Sequence, residues 1–233
     1  MPFNITKVLL ASLLYPVVNF RRVINAVTLP FFIFTMNWAI TLKFGSDSIA
    51  ITWLGFAIQI IAIAMLLVNC IYLTVSTKPL SLGRKLTCYG RVTVLLAGFT
   101  GLLFIGRIIF LALYVMLFNL DKANFQMVDY LAYLLSSAVL FWSIMVIPNY
   151  IETGKVNLAQ VKRLTAGVKL KLLMLCLIYQ LLMYIPIILI GQNGTLIYQL
   201  IFIISHYASY SIGCFVVALS FLELKDSRPK YTD

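Results

Sequence analysis

The chain has 233 residues, of which 62% are apolar and only 11% are charged, and its formal net charge is +11. A soluble domain carries about 25% charged and 45–50% apolar residues, so this composition excludes an ordinary water-soluble domain and predicts a protein surrounded by lipid. The basic residues flank apolar segments, as membrane topology requires, so the net charge does not indicate a nucleic-acid-binding surface.

In chain order, a short apolar segment comes first and longer ones follow. Val8–Val18 is too short to cross a membrane and is interrupted by Pro16. Crossing the hydrocarbon layer takes about 20 apolar residues. Six segments come close to or exceed that length: Val23–Leu42, Ala50–Val75, Val92–Phe118, Met127–Pro148, Leu172–Ile190 and Leu196–Leu222. We therefore predict an all-α, polytopic membrane protein with six transmembrane helices in one domain, 1–233. Residues 1–22 form an N-terminal interfacial segment and 223–233 a short cytoplasmic tail.

The orientation follows from the basic residues, because these concentrate in cytoplasmic loops. Lys43 and Lys122 fall on one side of the membrane, and Arg107 falls within a segment. Fifteen others fall on the opposite side: Lys7, Arg21, Arg22, Lys78, Arg84, Lys85, Arg91, Lys155, Lys162, Arg163, Lys169, Lys171, Lys225, Arg228 and Lys230. This asymmetry predicts that both termini are cytoplasmic, in a bacterial inner membrane. The basic loops would contact anionic lipid headgroups.

The cytoplasmic segments carry a second pattern, in which basic and apolar residues alternate at helical spacing. The clearest example has Val161, Leu164 and Val168 on one face and Lys155, Lys162 and Lys169 on another. It predicts an amphipathic helix over Asn157–Lys171 that lies in the headgroup layer with its apolar face toward lipid. Similar segments at 4–22 and 79–90 indicate three repeats, each an interfacial helix followed by a transmembrane hairpin. The alternative is that any protein with basic cytoplasmic loops shows such patches.

Two segments carry this repeat most clearly. They are Leu-Ser-Leu-Gly-Arg-Lys-Leu at 80–86 and Val-Asn-Leu-Ala-Gln-Val-Lys-Arg-Leu at 156–164. A basic amphipathic segment followed by a hairpin, three times across the whole chain, resembles the bacterial six-helix membrane proteins related to YciC and to the membrane domain of glycerophosphodiester phosphodiesterases. The resemblance implies the architecture, and it assigns no catalytic residue to these positions.

Arg107 lies near the centre of the third long segment, where a charge costs about 2.5–3.5 kcal/mol on insertion scales and normally has a partner or water. Thr93, Thr100, Arg107 and Tyr114 are seven apart and share one face, so this face is expected to point into the bundle. A rise of about 1.5 Å per residue places Asp129 about 13 Å nearer to the outer surface than Arg107. The sequence therefore predicts that the two do not form a direct ion pair.

Other segments carry polar residues at about the depth of Arg107. We predict that these side chains form a polar ligand-binding cleft with it: Arg107, Gln180, His206, Gln59, Ser136 and Tyr210. A positive centre there would favour an anionic ligand. The alternative is structural, because buried polar groups also hold membrane helices together through hydrogen bonds worth about 0.6 kcal/mol each.

The chain lacks the motifs of common catalytic sites. It has one histidine and four cysteines without zinc-site spacing, and neither H-E-x-x-H, a P-loop nor G-x-S-x-G occurs. The sequence predicts no enzyme, metal or cofactor. The leading hypothesis is a non-enzymatic protein that binds or passes a small or anionic ligand, including a lipid, through the cleft around Arg107. One alternative is an accessory or scaffolding subunit that binds a partner membrane protein or its own copy. Another is a lipid-modifying enzyme.

Overall fold

A computed structural model describes residues 3–44, 49–75, 81–118, 125–190 and 196–227, and within these ranges the regular structure is helical. The helices are α1 (Ile5–Val18), α2 (Phe20–Phe44), α3 (Ile49–Val75), α4 (Leu82–Phe118), α5 (Phe125–Leu140), α6 (Val146–Thr153), α7 (Leu158–Thr165), α8 (Lys169–Ile190) and α9 (Leu196–Asp226). The prediction of an all-α chain is confirmed for these ranges. Four helices, α2, α3, α4 and α9, are long and apolar enough to cross a membrane alone. Two bent pairs, α5 with α6 and α7 with α8, bring the number of candidate spans to as many as six.

Five of the long helices form a closed ring. Around the ring, α3 contacts α4, α4 contacts α5, α5 contacts α8, α8 contacts α9, and α9 returns to α3. Helix α2 packs mainly against α3, outside this ring. The approach of α4 to α5 is close at Gly106, where a β-carbon would lie 3.2 Å from the Oγ of Ser136. Helix α9, near the end of the chain, therefore closes the ring by contacting α3. The ring leaves a space at its centre.

Helix α1 lies at one end of the ring, which we call the basic end: the end that holds the C-terminal ends of α3 and α9 and the N-terminal ends of α4 and α8. The ammonium group of Lys7 pairs with the Glu223 carboxylate near the end of α9, and this contact raises the pKa of Lys7. The hydroxyl of Tyr15 donates to the carbonyl of Leu73 near the end of α3, at 2.7 Å. Both contacts tie the N-terminal helix to the end where the sequence places its basic residues.

Dense packing is concentrated in the half of the bundle nearest the basic end. The largest fully buried side chains lie mostly there: Leu66, Leu67, Ile71, Val92, Leu172, Leu175, Phe215, Phe221 and Leu224. In the opposite half, large apolar side chains such as Trp53 and Ile204 are exposed, which in a membrane means contact with lipid. The bundle is therefore tightly closed toward the basic end and looser toward the other.

Two helices at the basic end differ from the sequence prediction. Helix α4 begins at Leu82 and continues without a break to Phe118. Residues 82–90 of the segment predicted as an interfacial helix are therefore the first turns of this long helix. Residues 79 and 80 lie outside the described ranges. The 37 residues of α4 span about 55 Å, well beyond the roughly 30 Å hydrocarbon layer. Helix α1 continues through Pro16 to Val18, although the proline removes one backbone hydrogen bond inside the helix.

The amphipathic helix predicted over Asn157–Lys171 is half that length. Helix α7 ends at Thr165, and Gly167 adopts a left-handed conformation with a φ of 77°. The chain then turns by 88° into α8. Val161 is completely buried in the protein core, so the predicted lipid-facing side of α7 faces protein at this position. The elbow forms because glycine takes a positive φ without the steric cost that a β-carbon would impose.

The fourth predicted segment, Met127–Pro148, is broken. Helix α5 ends at Leu140, and a short 3-10 turn at Ser143–Met145 leads into α6 with a bend of 47°. Asn149 and Tyr150, beyond the bend, are buried against the rest of the bundle. The break lets α6 fold into the dense half near the basic end.

Candidate functional site

The five-helix ring encloses a cavity of about 530 Å³. Its walls are mainly aliphatic and aromatic, and every ring helix contributes to them. The side chains that bring polar atoms are Tyr130, Tyr133, Ser137, Tyr179, Gln180, His206, Ser209 and Tyr210. Among the described residues that line the cavity, none is Asp, Glu, Lys or Arg. The cavity is therefore a largely apolar chamber with a few uncharged polar groups.

Exposure varies along the length of the cavity. Leu67, Leu96 and Val217, which line it toward the basic end, are buried in the packed half of the bundle. Tyr133 lines it closer to the opposite end and is 44% exposed. The cavity is thus closed by side-chain packing toward the basic end.

Gln180 on α8 lines this cavity. The sequence predicted it to lie near the middle of the membrane and to belong to the ligand-binding cleft. Its amide nitrogen donates to the hydroxyl of Ser137 and to the sulfur of Cys176, the latter at 3.4 Å. These contacts hold the amide in place between α5 and α8. Its oxygen, Oε1, is buried and has no hydrogen-bond partner in the protein.

His206 on α9 is the second cavity residue with an unused polar atom. Its ring stacks on Phe202 with centroids 5.6 Å apart and meets the edge of Tyr210 at 5.0 Å. Phe34 of α2 packs at 6.4 Å. The aromatic contacts fix the plane of the imidazole, while its buried Nδ1 atom makes no hydrogen bond.

Gln59 and Tyr210 belong to the same cluster, in different roles. Tyr210 lines the cavity, and its hydroxyl accepts a hydrogen bond of 3.2 Å from the amide nitrogen of Gln59 on α3. Gln59 does not line the cavity itself and acts as a support that joins α3 to α9. The sequence placed both residues in one polar layer, and the structure brings them together.

Ser136 faces a neighbouring helix, whereas its neighbour Ser137 lines the cavity. The hydroxyl of Ser136 donates to the carbonyl of Ala132 within α5, and the side chain packs against Gly106. The sequence predicted Ser136 as a cavity residue, whereas the structure has Ser137 in the lining. The spacing of Tyr130, Leu134 and Ser137 on one face of α5 is the signal that could have identified it.

Arg107 does not line the cavity, and its predicted isolation from Asp129 is wrong. Two guanidinium nitrogens donate to the two carboxylate oxygens of Asp129, an ion pair between α4 and α5. Because Gly106 lies level with Ser136, seven residues below Asp129, the backbone positions differ in depth by about 10 Å. The helical rise per residue gives the depth of the two backbone positions. It does not account for the length and flexibility of the arginine side chain or for the tilt of the helices. The structure therefore separates Arg107 from Gln180 and His206.

Tyr179 was also missed, although it contributes to the site. Its hydroxyl donates to the carbonyl of Ser209 at 2.7 Å and lies against Gly213, where a β-carbon would be only 2.4 Å away. Small residues at Ser205, Ser209 and Gly213 recur every fourth position and indicate a close helix contact, which the structure confirms at Gly213. At Gly101, whose spacing from Ala97 also allows close approach, no atom of the described residues lies within 4 Å of a β-carbon built there.

Similarity to other proteins provides no independent assignment of this site. The resemblance to six-helix membrane proteins stays a prediction. Comparison of the chain with protein-family models, with curated protein sequences and with solved structures finds no match.

Proposed function

We propose that this chain is a non-enzymatic, multi-pass membrane protein that binds a small hydrophobic ligand in the cavity of the five-helix ring. One observation carries the proposal: a chamber of about 530 Å³ is lined mainly by apolar side chains together with a few uncharged polar ones, among them those of Gln180 and His206. Ligand pockets typically have volumes of about 300–1,000 Å³, apolar walls and a few polar groups that orient the ligand.

The distribution of packing favours binding over passage through the bundle. Passage would require the buried side chains at the basic end, such as Leu67 and Val217, to separate. The uncharged lining also argues against an anionic ligand in the cavity. Arg107, the cation predicted to lie there, is paired with Asp129 and does not line the cavity. An unpaired anion in an apolar site would lose far more hydration energy than neutral contacts return.

The first test is whether the protein retains a hydrophobic molecule from the membrane during purification. Ser209→Phe places a ring in the cavity and should abolish retention, measured by native mass spectrometry of the purified protein. Ile204→Phe adds the same ring on the exposed side of α9 and should retain the molecule as the wild type does. Equal occupancy in all three proteins would contradict the proposed site.

The proposed topology has six spans, with both termini in the cytoplasm of a bacterium and the protein in its inner membrane. The bent pairs α5 with α6 and α7 with α8 each supply one span, and the basic end faces the cytoplasmic leaflet. The support is the basic asymmetry of the sequence together with the contacts of α1 with the ends of α3 and α9. Anionic headgroups of that leaflet are the proposed partners of the basic residues.

Reporter fusions test this topology. A fusion at Asp121, which lies outside the described residues, and a fusion at Gly154, which follows α6, should report opposite sides of the membrane. Gly154 should be cytoplasmic, because the basic loops are retained on that side. Two fusions on the same side would exclude the six-span arrangement.

A scaffold is the second candidate, and one observation favours it. Few residues of α4 are fully buried, and a β-carbon at Gly98 or Gly101 would meet nothing within 4 Å. Small residues on an exposed face allow another helix to approach closely. The retention test separates the two functions, since a scaffold has no need of a cavity ligand.

A further inference from the structure

We infer that Arg84 and Arg91, near the start of α4, bind the phosphate of one anionic phospholipid. This site is separate from the cavity, and it gives the general attraction of the basic end for anionic headgroups one defined location. The two arginines are seven residues apart, so they lie on the same face of the helix, and both are exposed. Their surroundings distinguish them from the other basic residues at this end.

The guanidinium groups of Arg84 and Arg91 share the same surroundings. Both are within electrostatic range of the thiol of Cys88, which lies between them in α4. Nη1 of Arg91 donates to the hydroxyl of Tyr150 on α6 at 3.3 Å, and the guanidinium carbon lies 5.9 Å from the centre of that ring. Arg84 and Tyr150 both act electrostatically on Tyr72, near the end of α3. Two arginines and two tyrosines therefore meet where α3, α4 and α6 contact one another.

Neither arginine has a carboxylate partner among the described residues. Glu152, two residues beyond Tyr150, is paired with Lys225. The other two ion pairs in the described part of the chain lie elsewhere, at Lys7 and at Arg107. Two neighbouring guanidinium groups without a counter-charge favour an anion, and their planar arrays of N–H donors bind phosphate oxygens through paired hydrogen bonds.

The position of the pair favours a lipid over a soluble phosphate. Arg91 directly precedes the predicted membrane segment Val92–Phe118, so the pair lies at the level of the lipid headgroups. Gly98 lies seven residues beyond Arg91 on the same face, and a β-carbon there would meet nothing within 4 Å. Leu102 and Ile109 follow on this face and are 52% and 54% exposed. A phosphate held by the arginines thus has an open apolar surface beside it for an acyl chain.

Three probes test this chemistry: dioctanoyl phosphatidylglycerol, dioctanoyl phosphatidylcholine and glycerol phosphate. Dissociation constants are measured by native mass spectrometry of the purified full-length protein as each probe is titrated. Phosphatidylcholine should bind about tenfold more weakly than phosphatidylglycerol, because its choline group brings a positive charge toward the arginines. Glycerol phosphate should bind at least about tenfold more weakly, because it has no acyl chain to place on the apolar surface.

Arg84→Gln with Arg91→Gln should weaken the binding of phosphatidylglycerol at least about tenfold, because two charge-assisted contacts are lost. The matched control is Arg21→Gln with Arg22→Gln, which removes the same charge from exposed positions at the start of α2. It should change the affinity by no more than about twofold, because isolated exposed charges contribute little. Unchanged melting temperatures verify that the variants are folded.

Arg84→Lys with Arg91→Lys keeps both charges and should still weaken binding, since an ammonium group lacks the paired donors of a guanidinium. Equal losses in the two glutamine variants would show that overall charge attracts the lipid, and would overturn the inference. Glycerol phosphate that binds as tightly as phosphatidylglycerol would overturn the assignment to a lipid. Ser209→Phe, which fills the cavity, should leave this affinity unchanged, and its loss would place the lipid in the cavity instead.

Discussion

Replacing Arg107 with leucine should lower the free energy of unfolding by about 2 kcal/mol. The change leaves the Asp129 carboxylate in a membrane helix without its partner, and breaking a buried ion pair costs about 3–5 kcal/mol. We expect a smaller effect here because the two side chains are 36% and 22% exposed. The measurement is the unfolding of the purified protein in mixed micelles, titrated with a denaturing detergent.

The double variant Arg107→Leu with Asp129→Leu should recover most of that loss, because both charges are then absent and two apolar side chains face a largely apolar environment. Lys225→Leu is the matched control. Its pair with Glu152 lies at the basic end, and a solvated pair of this kind contributes less than about 1 kcal/mol. A double variant as unstable as the single one would show that the ion pair does not explain why Arg107 is present.

Gly213→Ala should destabilise the protein by about 2 kcal/mol, a large effect for one methyl group. The new carbon would lie 2.4 Å from the hydroxyl oxygen and 2.9 Å from the ring carbon Cζ of Tyr179, distances that real contacts do not reach. Helices α8 and α9 must then separate, or Tyr179 must give up its hydrogen bond to the Ser209 carbonyl. Overpacking of this kind typically costs about 1–3 kcal/mol. The same unfolding titration measures it.

Gly101→Ala is the control for the helical effect of the substitution. It lies where a β-carbon meets nothing within 4 Å, so it should be neutral or stabilise the protein by up to about 1 kcal/mol through helix propensity. In a Tyr179→Ala background the penalty of Gly213→Ala should nearly vanish, since the clashing ring is gone. A penalty that persists in that background would place the conflict elsewhere.

Much of the candidate site could be predicted because depth and helical face are local properties of a sequence. Gln180, His206 and Tyr210 lie at similar depth in their segments, and the structure has all three lining one cavity. Gln59, which the sequence grouped with them, lies outside the cavity lining and donates a hydrogen bond to the hydroxyl of Tyr210. Adjacent residues on a helix differ by about 100° in direction, so the choice between Ser136 and Ser137 depended on a rotation of α5 that the polar pattern alone misjudged.

The sequence by itself determined that the chain is helical, that its solvent is lipid, and which segments are long enough to cross a membrane. These follow from composition and from runs of apolar residues, which require no knowledge of other segments. Only the tertiary structure decided that α9 closes a ring on α3, that Gly167 turns the chain into α8, and that Arg107 pairs with Asp129. Each of these depends on how two distant segments tilt, rotate and approach one another. Because a long side chain can carry its charge several ångströms from its backbone, the partner of a buried arginine is set by packing in three dimensions and cannot be obtained from depth alone.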